Sequence, residues 1–555
     1  VGCVGMVRKD MMIHSRAGAV GDVYILAGGR TGRDGIHGVT FASRDLDAGS
    51  VDDIGAVQLG DPITKEPLMH LCLELNGMKL LTGMKDLGGG GLSCVVGELA
   101  LDGGFGARVN LEKVPLKVEN MAPWEIWVSE SQERMMFTVK PEDVDRVLAR
   151  SKAWDVEAVP IGKVITEKRN IVRFNGVEIL NLDLEFTTGG PVYNRPYNLP
   201  NYDTGPAAPL PEYPADLGKT ILDLVSQPEV ASKDWVIRQY DHEVRGKTAL
   251  KPIQGPIGKD VPGDSSVLKP VDDSWKGLAL TTDVNPYLME ANPYHGTMSA
   301  VEEVCRNLAA VGARIDSLAD CLCFGNPRKP DIMGQFRASC EALKDAAMAV
   351  DVPYVSGNVS LYNETSDGAI PPTPVLMGVG LVEDIRNCTT SDMKRDGSIW
   401  LIGKTKEEMG ASLYYRSIGK DCPNLPKTDF DSFIPRMEQL IQAIEQGEVV
   451  ACHDISTGGI AVAVIEMCMS GVGANIGLGD DMRADVELFS ESNGRWIVQV
   501  ANGKEKGFAR RFDYATRIGE VGKNIAFSKD NDVIAEFEID ELRSAWTRPV
   551  WDRLA

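Results

Sequence analysis

The sequence lacks several features that mark specialised classes of protein. No apolar run is long enough to cross a membrane as a helix, and no secretory signal peptide opens the chain. Positive charge is also scarce, because 58 Lys and Arg residues face 80 Asp and Glu residues and leave a formal net charge of −22. These features argue against binding to membranes or, nonspecifically, to nucleic acid, although a local basic pocket could still bind phosphate.

Cysteine pairs with metal-binding or redox spacing are missing too. The eleven cysteines are scattered, none forms a CxxC pair, and Cys321 and Cys323 form only a CxC. Such thiols are typical of a reduced, cytoplasmic protein without a zinc site. Five histidines show no ligand spacing among themselves, and we interpret each as a surface or packed residue. They are His14, His70, His242, His295 and His453.

What is present is the composition of a large globular protein. Hydrophobic residues make up 43% and charged residues 25% of the 555 positions. A chain of this length exceeds one hydrophobic core, so we expect three or four domains. Short Val, Ile and Leu runs such as residues 399–405 alternate with amphipathic stretches such as residues 297–313. This alternation predicts an α/β (α+β) fold.

The chain also contains an internal repeat. The stretch "DLGGGGLSCVVGELA" at 86–100 is similar to "DISTGGIAVAVIEMC" at 454–468. Further pairs of similar stretches lie in the same order along the chain. They are 4–7 with 379–382, 23–31 with 399–405, and 129–134 with 490–495. We infer two copies of a unit B, with a different block A before the second copy.

The repeat predicts five segments. They are a remnant of a first A block (1–13), a first B domain (14–200), a linker (201–229), an A domain (230–390) and a second B domain (391–555). The alternative is that B alone was duplicated and A was inserted later. The match of residues 4–7 to the end of the A domain favours the loss of a first A block, so we expect an N-terminal block that is missing from this chain.

The repeated glycine-rich stretch is the first candidate site. Apolar residues after the glycines follow helical spacing, so the glycines lie at a helix N-terminus, where backbone N–H groups favour phosphate. Asp86 could bind a metal ion that bridges phosphates, or it could merely cap the helix while the glycines make a tight turn. In the second copy Ser456 and Thr457 replace two glycines, as in a copy kept for structure.

A second glycine-rich stretch, "GGRTGRDGIHG" at 28–38, places five glycines around Arg30, Arg33 and Asp34. It lacks the GxxxxGK[ST] pattern of a phosphate-binding P-loop. The alternative interpretation is a glycine-rich turn with a surface ion pair.

Two polar clusters lie in the A domain, "DCLCFGNP" at 320–327 and "SGNVSLYNE" at 356–364. Each follows an apolar, strand-like run, and ligands bind at strand ends in open α/β sheets. Asp320, Asn358, Ser360 and Glu364 offer the hard oxygen atoms that Mg²⁺ prefers. Asn–Gly pairs are also plain turn formers, but two such clusters in one block favour a functional site.

These motifs together resemble one family. Those that carry the resemblance are "GGRTGRDGIHGVTFAS", "VQLGDP", "DLGGGGLS", "WEIWVSESQERM", "DCLCFGNPRKP" and "SGNVSLYNE". They are similar to the small type of formylglycinamide ribonucleotide amidotransferase, also called phosphoribosylformylglycinamidine synthase. The resemblance implies the duplicated A–B architecture of the aminoimidazole ribonucleotide synthetase superfamily, here B–A–B. It also implies a C–N ligase of purine biosynthesis, in which ATP phosphorylates the substrate amide and ammonia displaces the phosphate.

The resemblance further implies roles for individual residues. Asp86 and Asn358 would bind Mg²⁺, and Asp320 and Gly357 would contact ATP. The nucleotide substrate would be bound by Gln58, Glu130, Ser131, Gln132 and Ser360. The implied partners are a separate glutaminase subunit, a small scaffold subunit and the missing N-terminal block. The family's motif "ETHNHP" does not occur here, so no catalytic residue is assigned.

Two other functions are compatible with parts of this pattern. The first is a non-catalytic nucleotide-binding or assembly subunit of the same complex, and the second is a sister enzyme of the superfamily. Retention of Gln58, Asp86, Glu130, Asp320 and Asn358 favours the ligase over an inactive subunit. The double B unit argues against the sister enzyme, because such enzymes typically pair two single A–B chains.

Overall fold

The computed structural model describes residues 2–36, 60–202, 209–479 and 481–554. The chain divides into two compact units, one of residues 1–194 with 364–367 and the other of residues 195–363 with 368–555. Within the described residues, no helix is both long and apolar enough to cross a membrane.

The first unit contains a seven-stranded sheet in the order β2-β4-β1-β5-β3-β6-β7. Only the pair β3 and β6 is parallel among its described pairings. The strands are β1 (Val23–Gly28), β2 (Leu81–Asp86), β3 (Gly106–Asn110), β4 (Arg134–Val139), β5 (Ala158–Ile165), β6 (Arg169–Phe174) and β7 (Val177–Asp183). The helices are α1 (Pro62–Gly77), α2 (Leu92–Gly103), α3 (Pro123–Val128), α4 (Val144–Ala153) and α5 (Leu184–Gly189), with 3₁₀ turns at Lys9–Met11, Leu111–Lys113 and Pro141–Asp143.

Both faces of this sheet are buried. Successive side chains of a strand point to opposite faces, and β1 is apolar at four consecutive positions. Ile25 and Ala27 pack with Leu71 of α1, whereas Tyr24 and Leu26 pack with the α2 side. The sheet therefore lies between two helical layers, and the α2 layer carries the glycine-rich stretch at its start.

The second unit begins with a six-stranded sheet in the order β14-β13-β17-β12-β11-β8. Its strands and the short ones that follow or precede them in the chain are β8 (Thr248–Leu250), β9 (Ile253–Gln254), β10 (Val261–Pro262), β11 (Ser266–Leu268), β12 (Gly277–Asp283), β13 (Arg314–Cys323), β14 (Tyr354–Ser360), β16 (Gly368–Ala369) and β17 (Thr373–Val382). The short strand β15 (Glu364–Thr365) belongs to the segment that is grouped with the first unit. The helices are α6 (Leu217–Val225), α7 (Asp234–Ile237), α8 (Pro286–Ala291), α9 (Pro293–Ala310) and α10 (Pro330–Val350), with 3₁₀ turns at Val244–Gly246 and Ile385–Asn387.

A second seven-stranded sheet follows, in the order β19-β21-β18-β22-β20-β23-β24. Its strands are β18 (Ser398–Ile402), β19 (Val449–Asp454), β20 (Gly473–Gly477), β21 (Trp496–Val500), β22 (Ala515–Gly522), β23 (Ile525–Lys529) and β24 (Asp532–Phe537). The helices are α11 (Leu413–Ser417), α12 (Phe430–Glu445), α13 (Gly459–Cys468), α14 (Ala484–Phe489), α15 (Glu505–Arg511) and α16 (Ile539–Leu554). The strand order repeats that of the first unit, so the predicted duplicated B–A–B fold is confirmed.

Helix α6 lies inside the stretch 201–229 that the sequence predicts to be a linker. Its Leu217, Ile221 and Leu224 are buried in the same core as Ile460 and Phe537. This part of the linker is therefore packed onto the second B sheet, which agrees with an ordered connection.

Candidate functional site

A glycine-rich turn follows the strand that ends at an aspartate in each B domain. Gly91 and Gly459 have φ of +53° and +69°, a backbone conformation that favours glycine. A Cβ atom on Gly91 would overlap the carbonyl oxygen of Ser129, and one on Gly459 would press on the carbonyls of Leu488 and Ser490. These two glycines are therefore required by the close approach of two backbone segments, whatever else the turn does.

The loop that approaches the first turn is the motif at 129–134. Glu130 is buried, and its Oε1 accepts a hydrogen bond of 2.9 Å from the backbone N–H of Gly90. The Ser131 hydroxyl accepts one of 2.9 Å from the N–H of Gly32. The buried guanidinium of Arg134 donates to the carbonyls of Ser129 and Ser131, each at 2.7 Å. The loop is held in one conformation by charged and polar groups.

The second copy repeats these bonds. Glu491 accepts from the N–H of Gly458 at 2.8 Å, and Ser492 accepts from the N–H of Lys406 at 3.1 Å. Arg495 donates to the carbonyls of Ser490 and Ser492 at 2.6 and 2.8 Å. The serines, the glutamate and the arginine that both loops share therefore have a structural role in both copies. A difference in function between the copies must come from residues whose surroundings differ.

The two aspartates differ in this way. Asp86 is exposed, and within the described residues its carboxylate forms no hydrogen bond or ion pair. Asp454 is buried and lies 3.1 Å from Nε of Arg306, which also pairs with Glu302 and, at 3.3 Å, with Glu303. The first aspartate can therefore accept a ligand, whereas the second already neutralises a buried cation.

A cluster of acidic groups surrounds Asp454. Burial raises the pKa of Glu302 to about 7 although Arg306 opposes this, and burial also raises the pKa of Glu303. His453 lies next to the cluster, with Nδ1 2.7 Å from Asp264 Oδ1 and Nε2 3.1 Å from Glu466 Oε2. Burial disfavours the charged imidazole, but these two carboxylates outweigh it and hold the pKa of His453 well above its usual range.

Sequence reasoning missed this cluster. His453 is buried, as a packed residue would be, yet its ligand atoms and those of Asp264 and Asp454 lie within 4.8 Å of one another, close enough to hold a metal ion. Asp264 is 189 positions from His453, so only the adjacency of His453 and Asp454 was visible in the sequence. His453 and Arg306 already provide positive charge there, so the chain itself offsets part of the negative charge of the cluster.

The A-domain residues predicted to bind ATP lie together on neighbouring strands. Asp320 of β13 is directly opposite Gly357 of the parallel strand β14. A Cβ atom on Gly357 would lie 2.9 Å from the Asp320 carboxylate, so glycine leaves room beside this acid. Burial raises the pKa of Asp320. Asp320 shares its strand face with Leu318 and Leu322, which belong to the core beneath the helices.

Asn358 and Ser360 project from the other face of the same sheet. Asn358 is exposed, and its amide Nδ2 donates to Sγ of Cys321 at 3.4 Å, which leaves its carbonyl oxygen available. Ser360 is within 3.3 Å of the Asn363 side chain. The structure therefore places these two residues on one face of the strand pair, and Asp320 and Gly357 on the other. The predicted substrate-binding residue Gln58 lies outside the described residues.

The stretch at 28–36 contains the surface ion pairs of the alternative interpretation. Arg30 pairs with Glu157 at 2.8 Å and Arg33 with Glu125 at 2.7 Å, all partly exposed. Asp34 is different, because it contacts both the Ser131 hydroxyl and the ammonium of Lys117. This contact connects the stretch to the loop at 129–134.

Replacing Gly91 by alanine is expected to destabilise the first unit by about 3 kcal/mol, because strain at positive φ adds to the overlap with Ser129. The matched control is Gly104→Ala, which also has positive φ but no atom within 4 Å of a Cβ. It is expected to cost about 1 kcal/mol. The measurement is the urea midpoint of unfolding, and equal losses for both variants would contradict the role of close approach.

Models of known protein families match the chain in the same B–A–B order. The C-terminal domain of AIR synthase related proteins matches residues 19–175 and 397–527, and the N-terminal domain matches residues 262–382. These matches cover most strands of the two seven-stranded sheets and of the six-stranded sheet between them, and leave out β7, β8 and β24.

Similar proteins are known from several organisms. Phosphoribosylformylglycinamidine synthase subunit PurL of Thermoplasma acidophilum is 38% identical over 552 residues, which cover 98% of this chain and 72% of that protein. The subunit of Methanothermobacter marburgensis is 41% identical over 514 residues, which cover 91% of this chain and 70% of that protein. The solved structure of T. maritima PurL complexed with FGAR matches with a TM-score of 0.69 and 25% identity, over 93% of this chain and 74% of that one. The chain belongs to the family of phosphoribosylformylglycinamidine synthase subunit PurL.

Proposed function

We propose that this chain carries out the ATP-dependent conversion of formylglycinamide ribonucleotide and ammonia to formylglycinamidine ribonucleotide in purine biosynthesis. The observation that most supports this activity is the 38% identity to subunit PurL over 98% of the chain. The T. maritima PurL structure with a TM-score of 0.69 is complexed with FGAR, which supports the same substrate here.

The proposed chemistry has two displacements. The γ-phosphoryl group of ATP is transferred to the amide oxygen of the substrate, so that ADP leaves and an iminophosphate forms. Ammonia then attacks the carbon of that group, the C–O bond breaks and inorganic phosphate leaves. Phosphorylation converts a poor leaving group into a good one, and positive charge near the transferred phosphoryl group lowers the barrier.

We propose that Asp86 would hold one Mg²⁺ ion and that Asn358 would hold another. The Asp86 carboxylate is exposed and has no partner among the described residues, and the Asn358 amide oxygen is exposed as well. Such hard oxygen ligands suit Mg²⁺, which exchanges its waters reluctantly. Each ion would neutralise charge on the phosphates of ATP. Asp320 and Gly357 would contact ATP.

The remaining proposed contacts concern the substrate. Gln132 is half-buried and donates from Nε2 to the Glu130 carbonyl at 2.7 Å, and its side-chain oxygen would accept from the substrate. Glu130 and Ser131 support that loop, and Gln58 and Ser360 complete the set of proposed substrate-binding residues. A catalytic histidine is not assigned to this chain.

We also propose that the chain acts in the cytoplasm within a complex. A separate glutaminase subunit would supply ammonia and a small scaffold subunit would assist assembly. The relatives are named as subunits, and a structure of PurLQS from Thermotoga maritima supports an assembly of this type. The non-catalytic alternative is less favoured, because Asp86 keeps an exposed carboxylate where its counterpart Asp454 is paired.

The proposed function is tested by measuring ADP release with Mg-ATP, formylglycinamide ribonucleotide and a high concentration of ammonium. The chain is assayed alone and after mixing with glutaminase and scaffold subunits. Substrate-dependent ADP release and formation of the amidine product are expected. Binding of both nucleotides without any turnover in either assay would instead indicate the non-catalytic subunit.

A further inference from the structure

A cavity of about 190 Å³ in the second B domain is lined by an unusual number of cations. Lys404, Lys406, Lys427 and Arg436 surround it, together with two acids, Glu302 and Asp429. Glu302 is paired with Arg306, and Asp429 caps helix α12 by accepting from the N–H and hydroxyl of Ser432. We call this cavity the basic pocket. Its lining stands out in a chain whose net charge is −22.

The cations of the basic pocket are poorly compensated. In the part of the chain that the structure describes, no carboxylate lies within 4.0 Å of the charged groups of Lys404, Lys427 or Arg436. Lys406 is 3.6 Å from Glu408. Lys404 lies over the ring of Tyr514, 4.5 Å from its centroid. The local excess of positive charge is therefore real and faces a cavity.

Arg436 is the deepest of these cations. Its guanidinium donates to the carbonyl and hydroxyl of Ser432 at 2.8 and 2.9 Å and to the carbonyl of Gly494 at 3.3 Å. These neutral acceptors satisfy hydrogen bonds but do not cancel the charge, and burial lowers the pKa of Arg436. A bound anion would relieve this cost, because it would pair with a partly desolvated cation.

The position equivalent to the basic pocket can be identified in the first B domain by comparing the two copies. Helices α1 and α12 both have 16 residues, an aspartate N-cap and a proline at the sixth position. Their seventh residues are Leu68, which is 2% exposed, and Arg436. A Cβ on Gly28 would lie 3.0 Å from Leu68, and one on Gly403 would lie 3.1 Å from Arg436, so the two side chains occupy equivalent positions.

Two acids of the first copy are replaced as well. Glu133 and Gly494 occupy equivalent positions, because each directly precedes the arginine of its loop (129–134 and 490–495) and each has a positive φ, +59° and +73°. The backbone carbonyl of Glu157 accepts a hydrogen bond of 2.9 Å from the N–H of Gly28, and that of Tyr514 accepts one of 2.9 Å from the N–H of Gly403. Glu157 and Tyr514 therefore occupy equivalent positions too.

These differences make the second copy more positive on balance, although one cation is lost, because Lys65 at the fourth position of α1 corresponds to Phe433 of α12. In the first copy Glu133 pairs with Lys65 at 3.1 Å and Glu157 with Arg30 at 2.8 Å. In the second copy a leucine has become arginine, and both glutamates have become uncharged residues. Two lost acids and one gained arginine outweigh the lost lysine, so the charge at this point of the fold becomes more positive.

We propose that the basic pocket binds a small phosphate-bearing anion, either inorganic phosphate or a phosphomonoester. Lysine ammonium groups, an arginine and the hydroxyl of Thr428 are donors that suit phosphate oxygens. The pocket lies at the start of α12, where the helix dipole also favours an anion. The volume accommodates a phosphate with a small organic group. This site belongs to the second copy and does not depend on the proposed reaction.

The test is isothermal titration of the whole chain with inorganic phosphate and, separately, with ribose 5-phosphate. Lys427→Gln removes one exposed cation, and Tyr514→Glu restores the acid of the first copy without removing any cation. Tyr514 is 45% exposed, so neither change disturbs the core. Each variant is expected to weaken binding about tenfold or more. Lys523→Gln, which removes an exposed charge elsewhere in the same domain, is expected to leave binding unchanged.

Comparison of the two titrants identifies the ligand class. Equal affinity indicates a site for phosphate itself, and tighter binding of ribose 5-phosphate indicates a phosphomonoester. The proposal is overturned if neither titrant binds the unaltered chain below about 10 mM. It is equally overturned if Lys427→Gln and Tyr514→Glu bind as tightly as Lys523→Gln, because the bound anion would then lie at another site. Thermal unfolding of each variant shows that the comparison is made between folded proteins.

Discussion

Asp86→Ala is expected to lower metal-dependent, substrate-dependent ADP release by about a hundredfold or more while leaving the unfolding free energy within about 0.5 kcal/mol. The reason is the environment of this carboxylate, which is exposed and has no partner among the described residues. Its loss removes a ligand and no internal contact. The measurements are the ADP release rate as a function of Mg²⁺ concentration and urea unfolding of the same preparation.

The matched control is the equivalent residue of the second copy. Asp454→Ala is expected to destabilise the protein by about 3–5 kcal/mol, because it removes one acid from a buried network around Arg306. Its effect on turnover is expected to follow the folded fraction. Equal loss of turnover in both variants at equal stability would refute this division between a ligand-binding and a structural aspartate.

Arg306→Met is expected to cost about 5 kcal/mol or more of unfolding free energy, the largest loss of stability among the substitutions considered. The side chain of Arg306 is 1% exposed and pairs with Glu302, Glu303 and Asp454. Without it, three acids remain in a region where burial already raises the pKa of Glu302 to about 7. Urea unfolding at neutral pH measures the loss.

Arg314→Met is the control for this effect. Arg314 also pairs with two glutamates, Glu438 and Glu445, but its side chain is 36% exposed, so solvent screens the charges. It is expected to cost about 1 kcal/mol or less. Adding Glu302→Gln to the Arg306→Met variant should recover part of the loss, because one uncompensated buried charge is removed. A loss for Arg306→Met no larger than that for Arg314→Met would show that the buried network is not a major source of stability.

The duplicated fold was accessible from the sequence because its signals are local. The stretches at 86–100 and 454–468 each encode a strand end, a glycine turn and a helix within fifteen residues. The requirement for Gly91 and Gly459 also leaves a mark in the sequence, since a Cβ atom at either position would clash with a neighbouring backbone carbonyl. Repeated local signals in the same order were therefore enough to predict the B–A–B arrangement and the family.

The sequence did not predict which charged side chains are buried and paired. Asp86 and Asp454 occupy equivalent positions, and only packing shows that Arg306, 148 positions away from Asp454, reaches the second one. In the same way, Asp320 and Asn358 share a strand pair, but their projection from opposite faces follows from the register between two strands.

The sequence by itself determined the order of the domains, the glycine turns and the family, because these depend on patterns within short stretches. Only the tertiary structure decided which aspartate stays exposed, which histidine lies among acids, and that Arg436, Gly494 and Tyr514 meet at one cavity. The physical reason is that burial and charge compensation depend on side chains brought together from distant parts of the chain. Such contacts leave no periodic signal in the sequence.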